Sequence, residues 1–265
     1  MNKMSLTGFS EKDFGAILTQ YKYNLHSGDI IAGTIFHQES QGFLVDVGVN
    51  IAGYLPVDEI LLGFSNNLYD FRYLVNNTRE FFILAYNKDR QQLLLSIKRL
   101  DYIRAWKRIK QLESENIILN VPMYSLNKGG IVTVLEGLHS FIPRSHLITF
   151  TNYEFMLQYC LPCKLLLADE KNNKIILSHK LALLDLYSDL LKVGTLVYGQ
   201  ITQIKQYGIF ITIYGIPALL HISEIGYEYI KNVHHKFQIG NKIKVKIIHV
   251  DMKQARLSVS RRELI

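Results

Sequence analysis

Apolar and polar residues alternate in short runs along most of this chain, and each run ends at a glycine or a polar cluster. The clearest runs are Leu196–Ile204, Gly208–Ile213, Ala218–His221, Lys242–Val250 and Arg256–Ser260, each of which reads as a strand. In the fourth, Lys242, Lys244 and Lys246 alternate with Ile243, Val245 and Ile247, so one side is basic and the other faces a core. Elsewhere the period lengthens to that of a helix. Tyr102–Leu112 places Ile103, Trp106 and Ile109 on one helical stripe, with Trp106 expected to pack on a neighbouring domain. Leu181–Leu191 reads as a second helix. A third, over Ser10–Tyr21, has Ser10 as its N-cap and Asp13 in its first turn.

The strand pattern recurs. Gly28-Asp-Ile-Ile-Ala-Gly33 matches Gly194-Thr-Leu-Val-Tyr-Gly199, and Gly42-Phe-Leu-Val-Asp-Val matches Gly208-Ile-Phe-Ile-Thr-Ile at the same offset. A more diverged copy lies between them, with Lys128-Gly-Gly-Ile-Val-Thr-Val134 and Ser140-Phe-Ile-Pro-Arg-Ser-His-Leu147. All three copies close on an apolar strand that ends in serine and, two residues on, a base: Leu95-Ser-Ile-Lys98, Leu177-Ser-His-Lys180 and Val259-Ser-Arg-Arg262. Short strands with one apolar side, bent at glycines, fit a small closed sheet. The expected architecture is all-β: three tandem five-stranded barrels of the OB type, joined by short helices. The expected boundaries are a helical segment at 1–26, barrels at 27–99, 114–180 and 192–265, and linker helices at 100–113 and 181–191.

The formal net charge is +7, and its distribution matters more than its size. From Lys192 onward there are 11 Lys plus Arg against 4 Asp plus Glu, whereas the preceding residues hold 19 of each sign. The third copy therefore carries the whole excess and is the one suited to a polyanion. No apolar run approaches the length of a membrane span. The two cysteines, Cys160 and Cys163, have no second pair to complete a zinc site, and read as small apolar residues leading into a strand at Lys164–Ala168. Neither a cluster of acids nor a phosphate-loop glycine motif lies outside the repeats, so no catalytic activity, cofactor or small-molecule substrate is expected.

Binding unpaired RNA needs aromatic surfaces for bases and cations for phosphates. The third copy offers both: Tyr207 and Phe210 around Gly208, His221 at the end of a short strand, Arg256 at the start of the last, and the lysines 242, 244 and 246. With Gly194…Gly199, Tyr-Gly-Ile-Phe at 207–210, Leu-Leu-His-Ile-Ser at 219–223, Val250-Asp251 and Arg256-Leu-Ser-Val-Ser-Arg, it resembles the RNA-binding domain named after ribosomal protein S-one. The resemblance implies that Tyr207, Phe210, His221, Asp251 and Arg256 form the RNA face. At those positions the first copy has Gln41, Leu44, Pro56, Asn87 and Gln92. The second has Gly129, Val132, Pro143, Asp169 and Lys174. Stacking platforms are not expected there.

Three repeats in this order, with Phe141-Ile-Pro-Arg-Ser145 in the second and the opening Asp13-Phe14…Tyr21-Lys-Tyr-Asn24, are similar to the short S-one family of small-subunit ribosomal proteins found in cyanobacteria and chloroplasts. What this implies is a protein whose first two barrels dock on small-subunit proteins and rRNA, while the third holds single-stranded mRNA and assists initiation. The alternatives are an off-ribosome RNA-binding regulator and an accessory subunit of an RNA-processing enzyme. The richness in Ile, Asn, Lys and Tyr and the lack of a recognisable transit peptide point to a plastid, with a bacterial cytoplasm as the alternative.

Overall fold

The computed structural model describes residues 25–49, 51–62, 71–87, 92–148, 160–226 and 237–264. The helix expected over Ser10–Tyr21 lies outside them. The first set of strands is β1 (Ile30–Gln38), β2 (Gly42–Asp46), β3 (Ala52–Pro56), β4 (Thr78–Asn87) and β5 (Gln92–Ser96). The second is β6 (Leu119–Asn127), β7 (Gly130–Leu135), β8 (Leu138–Pro143), β9 (Cys160–Asp169) and β10 (Lys174–Ser178). The third is β11 (Leu196–Lys205), β12 (Gly208–Ile213), β13 (Ile216–His221), β14 (Lys242–Asp251) and β15 (Arg256–Ser260). Each set closes into a barrel with its strands in the order 1-2-3-5-4, the third and fifth running parallel.

Closure needs bends, and the three barrels bend at the same places. The first strand of each slips register by one residue against the second, between Ile35 and His37, Met123 and Ser125, and Ile201 and Gln203. The fourth strand does the same, and in β14 the slip falls between Ile247 and His249. The extra residue, Ile248, is left 42% exposed. This bulge moves the outward positions of β14 from even to odd numbers. It is why Asp251 shares the outer surface with Lys244 and Lys246. Val245, Ile247, Leu257 and Val259 point inward with Ile209, Ile211 and Leu220 to form the third core. Glycine opens the second strand of each barrel because the third strand passes so close: a Cβ on Gly208 would sit 2.6 Å from the Leu220 carbonyl oxygen. Gly42 and Gly130 meet the carbonyl oxygens of Leu55 and Ile142 in the same way.

The serine and base that close each copy have a structural task. Ser96, Ser178 and Ser260 accept from the backbone N–H groups of Arg99, Leu181 and Arg262, so each ends a strand and caps the turn that follows. The base then reaches back to the 3-10 turn after the third strand: Lys98 to the Asp58 carbonyl, Lys180 to Ser145, and Arg262 to Ser223. Capping by serine also explains why both linker helices start before the expected positions. The first, α1, runs Ile97–Ser114, and the second, α2, runs His179–Leu186 and stops short of the expected Leu191. In α1 the buried positions are Ile97, Leu100, Ala105, Trp106, Ile109 and Leu112. The step of five between Leu100 and Ala105 turns the buried face and leaves Ile103 38% exposed, so Ile103 does not share the stripe of Trp106 and Ile109.

The first barrel with the start of α1 forms one unit, up to Ile103. The second and third barrels share the other, from Arg104. Within that second unit, α2 is held between two barrels. Lys164 on β9, 5% exposed, forms an ion pair with Asp185 at 2.7 Å, the kind of partner a buried ammonium requires. Leu183, Leu184 and Leu191 join the core of the third barrel. The two-residue turn between β12 and β13, Tyr214-Gly215, has both residues at positive φ, as a tight hairpin demands. It seats against Ile148 and Leu183, and the Tyr214 ring stacks on Tyr187 with centroids 4.9 Å apart.

Both cysteines lie within β9, Cys160 exposed and Cys163 buried, where burial pushes the thiol up to about 12. At the start of α2, the buried His179 ring hydrogen-bonds the Pro162 carbonyl through Nδ1 at 2.7 Å. Burial holds its pKa below the ordinary 6.5, against the opposing pull of that hydrogen bond. The unfolded chain then takes up a proton that the folded imidazole refuses, so stability is full above about pH 6.5 and declines as pH falls below it. The drop in thermal midpoint between about pH 7 and pH 5 is expected to be smaller in His179→Gln than in the parent. An equal drop in both would remove His179 from the account.

Candidate nucleic-acid interface

Strand register lays out the outer surface of the third barrel in rungs. One rung crosses all five strands: Gln203 pairs with Phe210, Phe210 with Leu219, Leu219 with Ser258 and Ser258 with His249. Two residues along, Lys205 pairs with Gly208 and Gly208 with His221, while Ser260 pairs with Lys246. Two residues the other way, Thr212 pairs with Pro217 and Asp251 with Arg256.

Phe210 is half-buried between the fully buried Ile209 and Ile211, so its ring belongs to the outer surface and not to the core. Tyr207, 52% exposed, meets it edge to face with centroids 6.0 Å apart. This contact fixes two aromatic surfaces at a set angle above Gly208. His221 ends β13 beside them. Its Nδ1 accepts from the Ser223 backbone N–H at 3.3 Å, which leaves the exposed ring to donate through Nε2.

Asp251 and Arg256 are opposite in register, yet the carboxylate is turned into its own hairpin. Asp251 Oδ1 accepts from the backbone N–H groups of Lys253 and Gln254 at 2.9 and 3.1 Å. Asp169 does the same for Lys171 and Asn172 at the matching hairpin of the second barrel. The aspartate shared by the two copies therefore shapes the hairpin from which Arg256 or Lys174 projects. The lysines divide. Lys246 faces Ser260 on one side and Leu196 on the other, and its ammonium pairs with Glu263. Lys242 and Lys244 pair with Gln200 and Tyr198 on β11, away from the aromatic strands β12 and β13.

The full-width rung has counterparts in the other barrels. In the first it reads His37, Leu44, Tyr54, Leu94, Ala85, and in the second Ser125, Val132, Phe141, Ile176, Leu167. Each has an aromatic where the third barrel has Leu219. Position-by-position comparison with Tyr207 and Phe210 misses Tyr54 and Phe141, because they stand one strand over. Their rings lie above the opening glycine: a Cβ on Gly42 would meet Tyr54 at 2.7 Å, and one on Gly130 would meet Phe141 at 2.9 Å. Aromatic rings are therefore present on the outer surfaces of these barrels too, one strand over, and their rung neighbours are apolar: Leu44 and Leu94 beside Tyr54, Val132 and Ile176 beside Phe141. A cavity of about 230 Å³ beside Tyr54 is lined also by Ala85, Asn87, Gln92 and Leu94.

Residues 190–262, which hold these rungs, match the S1 RNA binding domain. Over nearly the whole length, the chain is 47% identical to the small ribosomal subunit protein bS1c of Pyropia yezoensis, with 97% of both chains covered. The chain belongs to the bS1 family. Among other bS1 proteins, bS1A of Synechocystis is 40% identical, over 97% of this chain and 78% of its own. The bS1c of Spinacia oleracea is 31% identical, over 98% of this chain and 63% of its own. In bS1 terms the three barrels are OB-folds, and the S1 match falls on the barrel that carries the charge excess and the aromatic pair.

Proposed function

We propose that this bS1 protein serves a plastid ribosome, docks on the small subunit through its first two barrels, and holds unpaired mRNA on the third to assist initiation. One observation carries the reading: the same rung has different chemistry in different barrels. In the third barrel it offers Phe210 between Gln203 and Leu219, with Ser258 and His249 beyond, His221 and Arg256 on the neighbouring rungs, and Tyr207 in the turn before β12. That combination suits bases and phosphates. In the second barrel Val132, Phe141, Ile176 and the 41% exposed Leu167 follow Ser125 and make four of the five rung positions apolar, which suits a protein contact. Tyr207, Phe210 and His221 meet bases, and Arg256 meets phosphate. Asp251 supports the hairpin, and Lys242, Lys244 and Lys246 add a wider positive field. Similarity to proteins named for red-algal and spinach plastids favours that compartment.

Because Leu183 and Leu184 belong to the third core, removing that barrel would expose them. Point variants of the full chain are the better probe. In gradient co-sedimentation, both the parent chain and Tyr207→Ala/Phe210→Ala are expected to travel with small subunits, while only the parent retains added unstructured RNA. Loss of co-sedimentation in the variant would make the third barrel the dock. Failure of both to travel, with free RNA still bound by the parent, would favour a regulator acting off the ribosome.

A further inference from the structure

We infer that the RNA strand leaves the third barrel across its junction with the second, where one backbone phosphate is shared between Arg256 and Lys180. This rests on the third barrel being the RNA site. The rungs run from His221 and Gly208, through Phe210, Leu219 and Ser258, to Thr212, Pro217 and Arg256, and so lead toward the end that carries the Tyr214-Gly215 turn. That turn is the part of the third barrel seated on the second, against Ile148 and Leu183. Lys180 lies one helical turn before Leu183 in α2. Its ammonium gives one hydrogen bond to the Ser145 carbonyl, leaving further N–H groups to donate.

Arg256 and Lys180 thus both lie toward this junction, and among the described residues neither forms an ion pair with a carboxylate. Asp251, opposite Arg256, turns its Oδ1 to the Lys253 and Gln254 amides and forms no ion pair with Arg256, and Asp185 in α2 is taken by Lys164. Burial holds the Lys180 pKa below the ordinary lysine value, and the charge of Arg256 lowers it further. Lys180 in turn helps burial to lower His146. An anion between the two cations relieves the repulsion that each now feels. A phosphodiester fits because it arrives already attached to bases on the adjoining rung, so little additional ordering is required. Lys98 holds the equivalent clamp in the first barrel, to the Asp58 carbonyl, and serves as the internal control.

Binding of polyuridine oligonucleotides by the full chain tests this. Each phosphate neutralised on a single strand adds about 0.7 to the slope of log affinity against log salt, which is roughly fourfold in affinity at about 0.15 M salt. Lys180→Gln is expected to lose about that much in affinity and slope. Lys180→Gln/Arg256→Gln is expected to lose less than the product of the single losses. In the parent chain, bound RNA is expected to shield Lys180, but not Lys98, from an amine-modifying reagent read by mass spectrometry, a result that needs no variant to fold. Unchanged binding by Lys180→Gln, with Arg256→Gln weakened, overturns the shared phosphate and leaves the RNA site standing. Equal weakening by Lys98→Gln and Lys180→Gln reduces both to turn clamps and also overturns it. Shielding of Lys180 by polyglutamate but not polyuridine would assign the junction to an acidic protein instead. If Phe210→Ala and Arg256→Gln are both without effect on binding, the RNA site itself is wrong.

Discussion

Replacing Tyr207 and Phe210 together with alanine is expected to weaken binding of unstructured RNA by the full chain on the order of 100-fold. Each base stacked on an aromatic ring contributes about 1–3 kcal/mol, and about 1.4 kcal/mol is tenfold in affinity. The two rings touch edge to face, so removing one also releases the other, and the double loss should fall short of the sum of the single ones. The barrel itself should survive. Tyr207 is exposed and Phe210 points outward, while the core residues Ile209 and Ile211 are untouched. Since no cation is removed, the salt dependence of the residual binding should keep its slope. Fluorescence anisotropy with a labelled polyuridine, in a salt series, reads both quantities. A folded double variant with parental affinity would refute the stacking assignment.

Trp106→Ala is expected to destabilise the unit from Arg104 onward by about 3–5 kcal/mol, the range for a large aromatic deleted from a packed core. Trp106 is 1% exposed in α1, with Ala105, Ile109 and Leu112 buried around the same side. Deletion leaves a cavity that these helix residues close only partly, because the rest of the helix is held in place. Urea unfolding measures the change. A loss below about 1 kcal/mol would mean that the tryptophan site collapses freely or that the ring is not in a core. Ribosome co-sedimentation of the still-folded variant should be unaffected. That outcome separates a packing role from a partner contact, the other role open to a lone tryptophan.

The strands of the third barrel could be read almost to the residue from alternation and glycine spacing. Ala218–His221 gained only Ile216 and Pro217, and Lys242–Val250 gained Asp251. This works because a five-stranded barrel has one core and one outer surface, so inward and outward positions are written as a period of two. The helices were less legible at their ends. Ser96 and Ser178 serve at once as last strand residue and helix cap, and the apolar pattern does not mark that handover. Ile103 was misplaced on the helical stripe because the buried positions step by five between Leu100 and Ala105.

The sequence by itself determined which barrel carries the positive excess, since charge is a property of residues wherever they lie. The residues for an aromatic pair, a histidine and an arginine were likewise plain in the chain. The surroundings of these residues were decided only by tertiary structure. Strand register placed Tyr54 and Phe141 one strand away from the Phe210 position, turned Asp251 into its hairpin, and set Lys242 and Lys244 against β11. Bulges reversed which residues of β14 face out, and the Tyr214-Gly215 turn of the third barrel came to rest on Ile148 and Leu183. Alternation specifies in or out along one strand, whereas neighbours across strands and between barrels depend on closure and packing, which have no local signature in the chain.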